Sequence, residues 1–454
     1  MIHQSTIRKF VDTESKRFLD LLKEACSLPS VSAEGTGLDE MADWLGDRLE
    51  AVGAKVSRLQ VPDAPPALLG EIPGSGERTL MIYDHYDVQP TDPLDLWDSP
   101  PFEPAERGGR LYARGVADNK GDLVARLCAI EAYRELVGEL PFAVKFFVEG
   151  EEEVGSPHFE QICRAHEGML RADHCVWEGW QLSHEGRPEV VYGCKGLLFL
   201  ELRSRMLSDD QHSSRAVYAP SASWQLIRAL ASMRNAEGAI AIEGFYDHRI
   251  EPGLREAEIL ERLPFDEDAE RERLGIERFA EGLSGRDLRY ALLYASTANI
   301  VGFLTGYTVP RGAKTILPAE ATAKMDFRLV PDQDASDIAE KVRRHLLKHG
   351  FPDVEVEVIS AENPSRSPTD SLLGLAIETQ AAHWFQETPT VWPLMPATGP
   401  MHPIAQGLGI PICSPPGVSR PDSKIHAPNE NLRIQDFLDI IGYTVSYLET
   451  YGQA

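Results

Sequence analysis

The sequence predicts an α/β protein: a larger mixed-sheet domain with helices on both faces, plus an inserted smaller α+β domain. Short apolar runs of strand length, at 78–83, 110–113 and 142–148, each lead into a polar turn, and helical patterns follow the last two. The character then changes near residue 205, and 321–329 alternates without exception, apolar at odd positions and polar at even ones. That is a half-buried strand with Thr322, Lys324, Asp326 and Arg328 on its open face. A helix at 335–348 and a strand at 354–359 continue a small α+β unit before Pro364 and Pro368 mark a return. The expected division is 1–204 and 363–454 for the larger domain, with 205–362 inserted between them.

Composition narrows the function classes. The chain has 454 residues, 43% hydrophobic and 26% charged, enough for two domains and a large core. Lys+Arg of 45 against Asp+Glu of 71 leaves a net charge of −26. So acidic a surface argues against nucleic acid or anionic membranes as partners. The first ten residues carry no apolar signal core, and no run reaches transmembrane length. The six cysteines are scattered, with no CxxC pair, which reads as reduced residues of a cytoplasmic protein.

Taken in order, residues 6–28 place Ile7, Phe10, Val11, Phe18, Leu21, Leu22 and Ala25 at helical spacing, and Pro29 ends the run. A second amphipathic helix, 38–52, stops at Gly53, and short strands follow at 55–61 and 67–72. The strand at 78–83 runs into Asp84-His85-Tyr86-Asp87-Val88. In extended chain His85 and Asp87 share a face, the geometry of a metal-binding imidazole whose other nitrogen a carboxylate holds. The turn Arg114 to Asp122 leads into a helix that buries Leu123, Leu127, Ile130 and Val137; helix capping is the alternative role for Asp118 or Asn119.

The strand at 142–148 ends in Glu149-Gly150-Glu151-Glu152-Glu153-Val154-Gly155-Ser156. Adjacent carboxylates repel unless a cation or protons compensate, although a solvated acidic turn fits the same letters. A strand at 173–177 ends at Glu178-Gly179. The charged stretch 251–275 reads as a surface excursion, and 371–385 and 434–451 as helices, with Ser419 to Glu430 between them.

Hydrolytic metal sites need carboxylate or imidazole ligands and a nearby base. His85, Asp118, Glu152, Glu153, Glu178 and His426 supply these, mostly from turns after strands. GxSxG, HExxH, GxxxxGK[ST] and complete GxGxxG motifs are missing. His345 and His349 lie one turn apart on a helix, but no glutamate follows His345, and the last turn of a helix suits them without a metal.

The segments His85-Tyr86-Asp87-Val88, Arg114-Gly115-Val116-Ala117-Asp118-Asn119-Lys120-Gly121 and Glu149 to Ser156 resemble a zinc-peptidase superfamily. It includes carnosinase, bacterial dipeptidases, carboxypeptidase G, aminoacylase and succinyl-diaminopimelate desuccinylase, and the carnosinase-like branch is most similar. Thr297-Ala298-Asn299-Ile300, Gly312 to Ala319, Arg328-Leu329-Val330-Pro331 and His426 extend the resemblance over nearly the whole chain.

The resemblance implies two divalent ions, zinc with manganese or cobalt as alternatives, bridged by Asp118. His85 and Glu178 would complete one site, Glu153 and His426 the other. Asp87 would orient His85, and Glu152 would be the general base, leaving Glu151 a solvated bystander. The inserted domain would be a lid and dimerisation domain. From it, His212 would reach the scissile carbonyl across a homodimer, and Arg328 would hold the substrate carboxylate. Asn299 and Gly399 are expected on the substrate side.

Two departures stand out. The branch's carboxylate for the first metal falls opposite Gly179, whereas the acid here is Glu178. Where carnosinase-like members carry a Gly-Gly-Ser loop, this chain has Thr398-Gly399-Pro400-Met401. The expectation is a metal-dependent amide hydrolase of small peptides. N-acyl-amino-acid or carbamoyl-amide hydrolysis is the enzymatic alternative, and an inactive binding homologue the alternative of another class.

Overall fold

The computed structural model describes residues 2–453. Its larger sheet has six strands in the order Lys55–Leu59, Ala67–Ile72, Ala143–Glu149, Thr79–His85, His174–Val176 and Ile412–Cys413. The first three pair antiparallel and the last four parallel, so the sheet is mixed. Period-two alternation divides each central strand between two cores. Leu80 and Ile82 join one cluster with the helices Gln4–Cys26, Leu38–Ala51, Lys120–Leu136, Leu372–Phe385 and Ile434–Gln453. Met81 and Tyr83 join the other, with Phe159 and Ile162 of the helix Phe159–Ala165. Helices therefore cover both faces.

Lys120–Leu136 is packed between Gln4–Cys26 and Ile434–Gln453 and is buried nearly all round. Its first two residues explain a motif. Buried Lys120 donates from Nζ to the carbonyls of Ala25 (3.1 Å) and Leu28 (2.6 Å), a cation at the C-terminal end of the first helix. Gly121 lies so close to the Val116 carbonyl and the Val418 side chain that a Cβ would have no room. Together they press the Arg114–Asp118 turn against the start of its helix.

The second sheet is antiparallel, ordered Asn299–Thr305, Glu320–Leu329, Gly196–Arg205 and Val354–Glu362. Its central strand thus begins at Gly196, upstream of residue 205. Alternation in Glu320–Leu329 follows the sequence: odd positions are buried under the helices Ala222–Ser232 and Ala335–Lys348, even ones partly open. The two crossings between the sheets pair with each other, Gly193 opposite Arg366 and Cys194 opposite Ser365, so the expected linker at 363–368 is part of a ladder.

One segment differs from expectation. Residues 251–275 form two helices, Leu254–Arg262 and Glu267–Leu274, with Pro264 between them. Leu260 and Leu263 are buried against Leu293, Tyr294 and Leu394, so the stretch is docked rather than a free excursion. The signal was two leucines in a charged run, too few to register as a stripe. No helix among the described residues is long and apolar enough to cross a membrane.

Candidate metal centre

Three strands of the larger sheet deliver site residues at their carboxyl ends, the edge where open α/β sheets bind ligands. His85 closes Thr79–His85, the 3-10 turn Glu152–Val154 follows Ala143–Glu149, and Glu178 lies just past His174–Val176. Asp118 comes from the turn before Lys120–Leu136, and His426 from the loop between Pro416–Ser419 and Asn431–Arg433.

These residues form two groups that share one carboxylate. In the first, His85, Asp118 and Glu178 bring ligand atoms within 4.8 Å of one another; in the second, Asp118, Glu153 and His426 do the same. Asp118 Oδ1 lies 3.1 Å from His85 Nε2, and Oδ2 lies 3.1 Å from His426 Nε2. His426 Nε2 is also 3.0 Å from Glu153 Oε2.

The donor set fits cations. Glu178 Oε1 is buried without a hydrogen-bond partner, a costly state for a lone carboxylate. Burial and the neighbouring Glu152 push its carboxyl well above the usual range. Mixed imidazole and carboxylate ligands suit zinc, manganese or cobalt.

Asp87 does more than the sequence indicated. Its Oδ1 is 3.3 Å and its carbonyl 3.1 Å from His85 Nδ1, which turns Nε2 towards Asp118. The same carboxylate accepts from the backbone N–H groups of Glu152 (3.2 Å) and Glu153 (3.0 Å). One buried acid therefore fixes an imidazole and the turn that carries two glutamates.

Glu152 belongs to neither group, yet its Oε2 is 4.0 Å from His85 Nε2. Burial drives its carboxyl upward, with His85 opposing and Asp118 and Glu153 adding to the shift. Glu151, expected to be solvated, is instead buried and paired with His158 Nδ1 at 2.9 Å. Its partner is His158, and it belongs to neither ligand group.

A side chain at position 179 is sterically excluded. Buried Asp122 presents its carboxylate to Gly179 and Gly417 so closely that a Cβ on either would collide with it. Asp122 Oδ1 accepts from the Val418 N–H at 3.1 Å, and burial pushes the carboxyl up to about 7. No side chain fits at 179, and Glu178 takes the place beside His85 and Asp118. In sequence Asp122 read as one more polar residue of a helix start.

Arg328, Asn299 and Gly399, expected on the substrate side, belong to neither ligand group. Arg328 donates from Nη1 to Thr398 Oγ1 at 2.7 Å, joining the second sheet to the loop that holds Gly399. Gly399 accepts from Cys194 Sγ, and exposed Asn299 sits opposite Asp326 in the ladder. Sequence reasoning passed over Lys195. It is buried, donates to the Ala295 carbonyl at 2.7 Å, and has its pKa lowered to about 8 by burial and by nearby Arg328. Neither cation forms an ion pair among the described residues. His212 is exposed, bonds Ser214, and makes no contact with the two groups within this chain.

The electrostatics give a prediction for the chelated protein. A carboxyl raised in the folded state binds more protons there than in the unfolded chain, so its contribution to stability falls as pH rises through that interval. Glu178→Gln removes the buried charge. Thermal unfolding with excess chelator should show a higher Tm than the unmutated chain at about pH 8, and the gap should close towards about pH 4.5. A lower Tm at both pH values would contradict this reading.

The profile of peptidase family M20/M25/M40 matches residues 81–450. The human Beta-Ala-His dipeptidase is 28% identical over 74% of this chain and 70% of its own length. The Cys-Gly metallodipeptidase of Schizosaccharomyces pombe is 28% identical over 74% of each chain. The crystal structure of an M20 family metallo-carboxypeptidase from Sulfolobus solfataricus superposes with a TM-score of 0.87 at 37% identity, covering 96% of this chain and 99% of that one. The chain belongs to peptidase family M20/M25/M40 and is a metal-dependent hydrolase of peptide bonds.

Proposed function

We propose that this chain is a dipeptidase- or carboxypeptidase-like enzyme that uses two divalent ions, zinc first among them, and cleaves small peptides with a free C-terminal carboxylate. One observation carries the reading: two ligand groups share Asp118, and Glu152 stands beside them without belonging to either. His85, Asp118 and Glu178 would hold one ion, and Asp118, Glu153 and His426 the other. Bound there, the ions supply Lewis acidity, easing deprotonation of water and polarising the amide carbonyl.

The chain's own groups do the rest. Glu152 accepts a proton from the attacking water on its carboxylate and returns it to the leaving nitrogen. Asp87 keeps Nδ1 of His85 occupied and fixes the Glu152–Glu153 turn. Arg328, with Lys195 behind it, offers positive charge for the substrate carboxylate, and a guanidinium fork suits that group. Thr398 already holds one arm of the fork, and Asn299 and Gly399 border the same side.

The proposed assembly is a homodimer built on the inserted unit, which the Gly193–Cys194 and Ser365–Arg366 crossing joins to the rest. Asn299–Thr305 is an edge strand, and Val301 and Leu304 on it are 53% and 63% exposed. Trp224, 62% exposed on the adjoining helix, extends the apolar strip. An unpaired edge with apolar side chains is the surface that a second copy would cover. It would also let the partner subunit's His212 donate to the carbonyl oxygen. Six buried, unpaired cysteines favour a reducing, cytoplasmic setting.

Glu152→Gln keeps shape but cannot take the proton, so kcat should fall by about 10²–10⁴ while elemental analysis still finds two metal equivalents. Retained activity would remove Glu152 from the role. Mixing inactive His212→Ala with inactive Glu152→Gln chains should restore partial activity in hybrid dimers; a fully active monomer by sedimentation would contradict the assembly. Arg328→Ala should lower kcat/KM for dipeptides by about 10–150-fold, the worth of a charge-assisted hydrogen bond. It should leave amidated analogues unaffected. Equal turnover of a dipeptide and its amide by the unmutated enzyme would end this part of the reading.

A further inference from the structure

Asp118 and His426 lie 308 positions apart in sequence, yet their side chains meet. A single carboxylate behind them spans the gap. Glu430, 1% exposed, accepts at Oε1 from the backbone N–H groups of Ala117 (2.9 Å) and Asp118 (3.1 Å). At Oε2 it accepts from the Gly115 N–H (2.9 Å) and from Arg114 Nη1 (2.8 Å). Arg114, equally buried, donates from Nη2 to the Pro90 carbonyl at 2.9 Å, in the loop that follows His85 and Asp87.

Glu430 follows His426 by four residues and immediately precedes Asn431–Arg433, which pairs with the strand Arg110–Tyr112. One ion pair therefore joins three loops: those of Asp118, of His426, and of His85 with Asp87. The N–H groups of the 115–118 turn face Glu430, while the Asp118 carboxylate faces the two imidazoles on the other side. Turn N–H groups gathered on one anion make a rigid seat.

We propose that Glu430, clasped by Arg114, is a positioning residue that sets the shared carboxylate of Asp118 against His426 and so tunes the affinity for both metal ions. This rests on the two-metal reading above. A buried ion pair is by itself weak support for a fold, since desolvation offsets most of its attraction. Here each oxygen is spent on a ligand-bearing loop, and partners that orient metal ligands commonly matter 10–100-fold to affinity, as an order-of-magnitude range.

The test uses Glu430→Asp, which keeps the charge but shortens the reach by one methylene, so both oxygens cannot hold their N–H partners. Arg114→Lys keeps a cation but loses the fork that also reaches Pro90. Zinc affinity is measured by competition with a chromophoric chelator, alongside thermal unfolding of the chelated proteins. The expected result is folded Glu430→Asp protein that binds zinc about 10–100-fold more weakly, with the unmutated chain taking two equivalents. A role confined to stability would lower the Tm of the chelated protein and leave the affinity of the folded protein unchanged, and that result overturns the proposal. Should Glu430→Asp fail to fold, Arg114→Lys decides by the same criterion. An unmutated chain that binds no zinc overturns the two-metal reading itself, whereas unchanged affinity on mutation overturns the positioning role alone.

Discussion

Four carboxylates, those of Asp118, Glu152, Glu153 and Glu178, converge on one cleft, and their mutual repulsion is the constraint that the rest of the chain resists. A flexible loop carrying them would splay. The fold prevents this by spreading the acids over three rigid supports: a strand end for Glu178, a turn capped by Asp87 for Glu152 and Glu153, and a helix start for Asp118. Those supports are themselves tied to the core. Lys120 holds the end of the first helix, and buried Arg126 donates to Asp84 Oδ1 (2.5 Å) and to the Trp177 carbonyl (2.7 Å), joining the strand ends beneath His85 and Glu178. Secondary structure here serves mainly to hold like charges close.

Much of this was legible in sequence because it depends on local periodicity. The aromatic and β-branched run Phe142 to Val148 reads as a buried strand, found at Ala143–Glu149, and the turn after it falls where α/β sheets bind ligands. The alternation over Glu320–Leu329 likewise gave the buried face of the second sheet residue by residue. What escaped depends on contacts between distant segments. Nothing local to Glu178 or Gly179 shows that Asp122 fills the space at 179. Nothing near Glu151 shows that His158 captures it. Asp87 was read as a partner for His85 alone, because its bonds to the backbone of Glu152 and Glu153 cross from another strand.

The same limit applies to the join between the two sheets. Lys195 looked unremarkable between two strands, yet it is buried beside Arg328, whose charge also acts on the Glu362 carboxyl. Leu260 and Leu263 teach the converse, since a charged stretch can dock through two side chains and leave almost no periodic trace.

Environment, not residue type, divides the labour among the acids. Asp118 is hydrogen-bonded by two imidazoles, which overcome the effect of burial and hold its carboxyl below the usual range. Glu152 is buried to a similar end but accepts no hydrogen bond from a cation, and its carboxyl rises. These opposite directions accord with the roles proposed above, a shared ligand for Asp118 and a base for Glu152. That difference arises from His85 and His426 flanking Asp118 while Glu152 has only His85, and at 4.0 Å.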